Sequence, residues 1–273
     1  MGTIAWLTFH EARRRRMLWA VAGMGLAFLA LYALGFWFVQ RELVSEGDIG
    51  DQPMVYNILT LMGLYAVNFL VVMLAVLSSV DSVSGEIASG TIHTLVTRPI
   101  RRWEVIVGKW LGLAGMLTVF TLFMSASLIG ISQGISGHRP PNTVPGIGAL
   151  TLEGLVMLSL SLLGGTRLST LTNGVLLFMF YGLALIAGLI EQVGGLVSNQ
   201  SAVNIGITVS LFIPTESMWR LAAWLMQPPI LRGVAAGPFS SASAPSPLMV
   251  GYTLLYVVAG LGLAVWSFKR RDL

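Results

Sequence analysis

The sequence predicts an all-α membrane protein with six transmembrane helices, and three observations carry that prediction. Of its 273 residues 55% are hydrophobic and only 10% charged, whereas soluble domains carry roughly a quarter charged residues. Six apolar runs, at about 17–39, 55–80, 104–131, 149–165, 174–190 and 248–268, are each long enough to cross a bilayer. Finally, the charges alternate between the connections. Arg13, Arg14, Arg15 and Arg16, then Arg98, Arg101 and Arg102, then Arg167, then Lys269, Arg270 and Arg271 sit at one set of ends. Glu42, Glu46, Asp48 and Asp51 occupy the first connection on the other side. The excess of Lys and Arg on the cytoplasmic side of membrane proteins turns this into an orientation with both termini cytoplasmic. The spans form a single transmembrane domain over 1–273.

In chain order, residues 1–16 read as an amphipathic lead-in lying in the membrane interface, with Ile4, Trp6 and Leu7 on its apolar side. The first run, 17–39, is too long for the apolar core of a cleaved signal and is read as a retained span. Trp19 and Trp37 near its ends suit the headgroup level. The second run carries Asn68 near its middle, and a buried amide in a membrane helix needs a partner on another helix or in a cavity. After the third run, Pro140, Pro141 and Pro145 suggest a short outer connection over 136–148. Glu153 then falls about one turn inside the fourth run, where it is either solvated from the outer interface or lines a cavity. Residues 166–173 read as a tight inner turn. Between runs five and six, 202–213 is apolar but too short to span, which fits an interfacial or re-entrant piece. Thr215 is a suitable N-cap with Glu216 in the following turn. Met218, Leu221, Ala222 and Leu225 make an apolar face opposite Glu216, Arg220 and Gln227. That pattern predicts a helix on the outer surface with Trp219 and Trp224 at headgroup level. Residues 233–247, rich in Ala, Ser, Gly and Pro, read as a flexible link.

The most informative stretch is the polar insert at 81–103, between the second and third runs. Ala88, Ile92, Leu95 and Val96 are spaced i, i+4, i+7 and i+8, one face of a short helix, and Pro99 disfavours helical geometry at the residue before it. A new apolar face begins at Trp103, Ile106, Val107 and Trp110. A basic loop beside a membrane helix often does no more than set orientation. Such a loop needs charge, but not an ordered Gly-Thr step, an apolar face and a proline stop.

Glu86, Gly90-Thr91, Leu95, Pro99, Arg101 or Arg102, and Gly108-Lys109 with Gly112 together resemble the signature of ABC-2-type transporter permeases. The nearest branch is the one containing the permease of nitrous-oxide-reductase maturation. The resemblance is strong over about thirty residues and elsewhere consists of a six-span layout and a similar length. It implies that 86–98 forms a cytoplasmic coupling helix that docks into a groove of a separate ATP-binding subunit. The docking set would be Glu86, Gly90, Thr91, Ile92, Leu95, Val96, Pro99, Arg101 and Arg102. It also implies a second permease chain in the assembly, as a homodimer, and transport in the direction of export. ATP and Mg would be bound by the partner subunit and no cofactor by this chain, with Asn68 and Glu153 as candidates for a transport path.

Several function classes are excluded or disfavoured. There are no cysteines, which removes disulfides, thiolate metal sites and cysteine nucleophiles. His10, His93 and His138 make no metal-ligand spacing. The net charge of +4 sits at span edges rather than in a free basic domain, so membrane orientation explains it better than nucleic-acid binding. No G-x-x-x-x-G-K-[ST] loop occurs, so the chain has no phosphate-binding loop of its own. Two alternatives remain beside the permease reading. An ion-driven secondary transporter would need ionisable groups at mid-span and internal repeats. An intramembrane hydrolase would rest on Gly130-Ile131-Ser132-Gln133-Gly134, which fits G-x-S-x-G but lacks the preceding strand that motif requires.

Overall fold

A computed structural model describes residues 16–46, 52–88, 102–231, 239 and 245–270. Among them every regular element is helical. Six helices have the length and apolarity of membrane spans: α1 (Arg16–Glu46), α2 (Gln52–Ala88), α3 (Arg102–Ser136), α4 (Thr143–Gly165), α5 (Thr170–Leu196) and α8 (Pro247–Lys269). Two shorter ones, α6 (Gln200–Phe212) and α7 (Thr215–Met226), lie between α5 and α8. The lead-in at 1–15 and most of the 233–247 link lie outside the described residues. Below, "insert end" denotes the end of the bundle where α2 stops and α3 starts, and "far end" the opposite one.

The helices overrun the apolar runs at most ends, for local reasons. α1 continues through Glu42 to Glu46 and α2 through Gly85 to Ala88; no proline interrupts either, and in α1 the flanking Gln40, Arg41, Glu42 and Leu43 are sound helix formers. α4 begins at Thr143 rather than at 149. Pro145 therefore occupies its first turn, where a missing N–H costs nothing because the first N–H groups of a helix lack intrahelical partners. α5 starts under an N-cap in which Ser169 accepts from the Thr172 N–H at 3.3 Å. α8 starts with Pro247 after Ser246, whose hydroxyl accepts from the Leu248 N–H at 3.3 Å.

α4 is the centre of the bundle. Of its most apolar stretch 72% is buried, against 22% for α1 and for α8, and it packs on α2, α3, α5, α7 and α8. The main core joins Leu64, Val67 and Val71 of α2 to Leu117 and Leu128 of α3, Leu150 and Met157 of α4, and Trp219 and Met226 of α7. A second apolar layer nearer the insert end joins Val83, Ile106, Leu158, Leu162 and Phe268.

The helix α7 corrects the expectation of a helix on the outer surface. It forms a hairpin with α6 that turns back from the far end, α6 lying largely exposed against α5 and α7 packed inside the bundle. α6 descends beside α5: a Cβ on Gly194 would lie 2.7 Å from the Ala202 Cβ, and one on Gly206 would lie 2.3 Å from Glu191 Cβ and 2.8 Å from the Ala187 carbonyl. Only glycine permits that approach. α7 climbs back along α4, with Met218 buried against Leu152 and Val156 and Met226 against Gly146. Trp219 is 1% exposed and meets the Tyr65 ring edge-on at 4.9 Å, so it is a core residue and not a headgroup anchor. Thr215 is the first helical residue, with Pro214 at the cap position in its place.

The hairpin turn ends among apolar side chains. A cavity of about 540 Å³ beside it is lined by Leu160, Phe180, Ile205, Phe212, Ile213 and others. The last carbonyls of a helix have no intrahelical donors, and in hydrocarbon an unpaired carbonyl is costly. α8 supplies the donors. The Tyr252 hydroxyl donates to the Leu211 carbonyl, and the Tyr256 hydroxyl donates to the Phe212 carbonyl at 2.7 Å.

Candidate functional site

Two places in the bundle carry the residues that the sequence singles out. The first is the root of the insert. Gly90, Thr91, Ile92, Leu95, Val96, Pro99 and Arg101 lie outside the described residues, and for Glu86 and Arg102 only the helical backbone is described. The structure does define what this insert is attached to. The Lys109 side chain, 5% exposed, donates from Nζ to the Ser82 carbonyl and so ties α3 to the end of α2. Ser84 and Thr170 hydroxyls lie 2.8 Å apart, and Thr170 donates to Asp81 Oδ1 at 3.3 Å. Asn173 Nδ2 donates to the Ser161 carbonyl at 2.8 Å. Ser267 of α8 accepts from Thr166 at 2.8 Å and from Arg167 Nε at 3.0 Å. Side-chain bonds thus link α2, α3, α4, α5 and α8 at this face, and a push on α2 or α3 acts on a connected assembly. Lys109 entered the sequence reading only as part of a Gly-Lys step. Its signal is a lone ammonium two turns into an apolar helix, which needs a buried acceptor.

The second place is mid-bundle. Asn68 and Glu153, the two transport-path candidates, are in contact: Asn68 Nδ2 donates to Glu153 Oε1 at 2.9 Å. Asn68 is 0% and Glu153 1% exposed, which overturns the interfacial placement of Glu153. Because α4 begins at Thr143, Glu153 sits ten residues, or ~15 Å, along its helix rather than one turn inside. Asn68 Oδ1 and Glu153 Oε2 are buried without a hydrogen-bond partner. Tyr65 lies one turn before Asn68, and the Tyr181 hydroxyl of α5 neighbours the Asn68 amide. Such a pair joins α2 to α4 in low dielectric and keeps two acceptor oxygens able to take a donor or a cation.

Close by, the hairpin contributes a charged group that sequence reasoning placed in water. Arg220 of α7 pairs with Glu191 of α5 at 2.6 Å, and Glu216 stands one turn before Arg220. Burial pushes the Glu216 carboxyl up to about 8. Arg220 opposes that rise and Glu191 adds to it.

The hydrolase-like motif is no site. Ser132 lies inside α3, fully buried, with its hydroxyl 3.0 Å from that of Thr60, so no nucleophile is presented on a turn. At His138, beyond the end of α3, burial lowers the imidazole below its ordinary value. Among the described residues no three His, Asp or Glu side chains are grouped to hold a metal.

Six apolar helices around a buried polar centre, with a fold-back hairpin at one end and a polar insert at the other, give the chain the make-up of a multi-pass membrane protein. The chain belongs to the ABC-2 transporter family: the profile described as "ABC-2 family transporter protein" matches residues 2–273. It is also 31% identical over 129 residues to a protein of Pseudomonas aeruginosa named as a probable ABC transporter permease protein NosY. That stretch is 46% of this chain and 44% of the relative, so the likeness spans less than half of either. Family membership makes the chain a transporter protein of the ABC-2 family.

Proposed function

We propose that this chain is the membrane-spanning half of an ATP-driven exporter in the plasma membrane, working as a homodimer with two separate ATP-binding subunits. The observation that carries the reading is the family match along nearly the whole chain, in a sequence without a phosphate-binding loop of its own. ATP and Mg belong to the partner subunit. Closure of the paired ATP-binding subunits pushes on 86–98, with Ile92, Leu95 and Val96 seated in the partner groove and Glu86, Gly90, Thr91, Pro99, Arg101 and Arg102 shaping the segment. The push enters α2 and α3 and reaches the other helices through the bonded insert-end network, because packed elements shift between discrete arrangements rather than deform smoothly. The Asn68–Glu153 pair is the polar point on the path that the spans rearrange around.

The test is reconstitution. The pure permease is expected to show no nucleotide turnover, and co-expression with its ATP-binding subunit should yield a complex of two permease and two ATP-binding chains. Turnover by the permease alone, or a monomeric permease that never retains the ATPase, would overturn the proposal. Both termini are placed in the cytoplasm. Reporter fusions after Arg102 and after Arg271 should report cytoplasm and one at Asp51 the outside, and a cytoplasmic signal at Asp51 would contradict this topology.

A further inference from the structure

The turn of the α6–α7 hairpin holds a buried charge set that the permease reading does not use. Glu216 and Arg220 are four residues apart and share a face of α7. The Arg220 guanidinium pairs with Glu191 of α5 at 2.6 Å, with 12% and 15% of the two side chains exposed. One cation therefore serves carboxylates from two elements, and Glu153 of α4 lies within electrostatic reach of Glu216. Among the described residues, the titratable groups facing Glu216 are Arg220 on its own helix, Glu191 and Tyr181 on α5, Glu153 on α4 and Tyr65 on α2. α6 carries no titratable side chain. Glu216 Oε2 is buried without a partner. α5 also closes on the side chain through Gly188, where a Cβ would fall 2.3 Å from Glu216 Cγ, so the carboxyl has no room to turn away on that side.

We propose that Glu216 is a proton-binding site, its ligand a proton from the aqueous phase, and that proton occupancy holds the hairpin against α5. Adding one proton to the carboxylate takes the Glu216–Arg220–Glu191 set from a net charge of minus one to zero. An uncompensated charge in an apolar interior is what this fold can least accommodate. The proton also turns the unpartnered Oε2 into a hydroxyl able to donate. The upward displacement to about 8, caused by burial, agrees with this occupancy at neutral pH. Because the folded value lies above the ordinary carboxylate value, the stabilisation is fully present below that ordinary value. It is lost progressively as pH rises towards about 8.

The experiment uses the full-length chain alone in lipid nanodiscs, so its outcome does not depend on an ATPase partner. The thermal unfolding midpoint is followed from about pH 6 to about pH 9, together with the infrared carbonyl band of a protonated carboxylic acid. The wild-type midpoint is expected to fall with rising pH, with its inflection near 8, as the band disappears. Glu216→Gln, which mimics the protonated state, should flatten that profile and remove the band. Glu191→Gln frees Arg220 for Glu216 and should move the inflection to lower pH. A Glu216→Gln chain that keeps the wild-type profile and band overturns the assignment. Should that variant fail to accumulate, an inflection unmoved by Glu191→Gln overturns it equally.

Discussion

Asn68→Leu is expected to be among the most damaging single changes in the bundle. It removes the one hydrogen bond to Glu153 Oε1 at a place where both residues are fully buried. Leaving a buried polar group unpaired costs about 1–3 kcal/mol, and more for a charged one. The unfolding midpoint of the purified chain should drop accordingly. Replacing both members, Asn68→Leu with Glu153→Leu, exchanges the pair for apolar contact and should restore most of that stability, as such exchanges of buried pairs commonly do. Stability restored while ATP turnover of the assembled transporter stays low would assign the pair to the transport path. Wild-type turnover in the double variant would reduce it to helix glue.

Leu95→Asp and Ile92→Asp are expected to uncouple the permease from its ATP-binding subunit. Burying one such side chain is worth about 1.5–3 kcal/mol, so an aspartate in its place should weaken docking at least roughly tenfold. The readout is retention of the ATPase on the purified permease, with membrane topology checked on the same variants. Replacing Arg101 and Arg102 by Gln should instead disturb orientation or insertion, if those charges act through the positive-inside rule. Normal retention and coupled turnover in both aspartate variants would leave the insert with a topogenic role only.

The six spans were legible because a bilayer demands long apolar runs, and little else in a sequence produces them. Their ends were not, because a helix does not stop where hydrocarbon does: Glu42 and Glu46 remain helical in α1. The position of Glu153 was misread for a related reason. Pro140, Pro141 and Pro145 look like a loop, yet Pro145 fits a first helical turn, and moving the helix start six residues back carries Glu153 from the interface into the core. The hairpin was misread because periodicity along one helix shows which side is polar, not what covers that side. Glu216, Arg220 and Trp219 fit an interfacial helix equally well, until Glu191 and Tyr65 from other helices meet them. Usable signals were present in Gly188, Gly194 and Gly206 and in Tyr252 and Tyr256 of the last span, whose hydroxyls need acceptors in an otherwise apolar helix.

The length of α2 has a mechanical consequence. It is one helix of 37 residues, held against the central helix at Asn68. At 1.5 Å per residue, about 30 Å separate that contact from Ala88 and about 24 Å separate it from Gln52. A rod hinged there is a lever with nearly equal arms and Asn68 as its fulcrum. A displacement of Ala88 reappears at Gln52 reversed in sign and about four-fifths as large, from the ratio of the arms. Label pairs reporting each end of α2 against α4 should therefore move in opposite senses during turnover, and motion in the same sense would mean that the helix slides or bends instead.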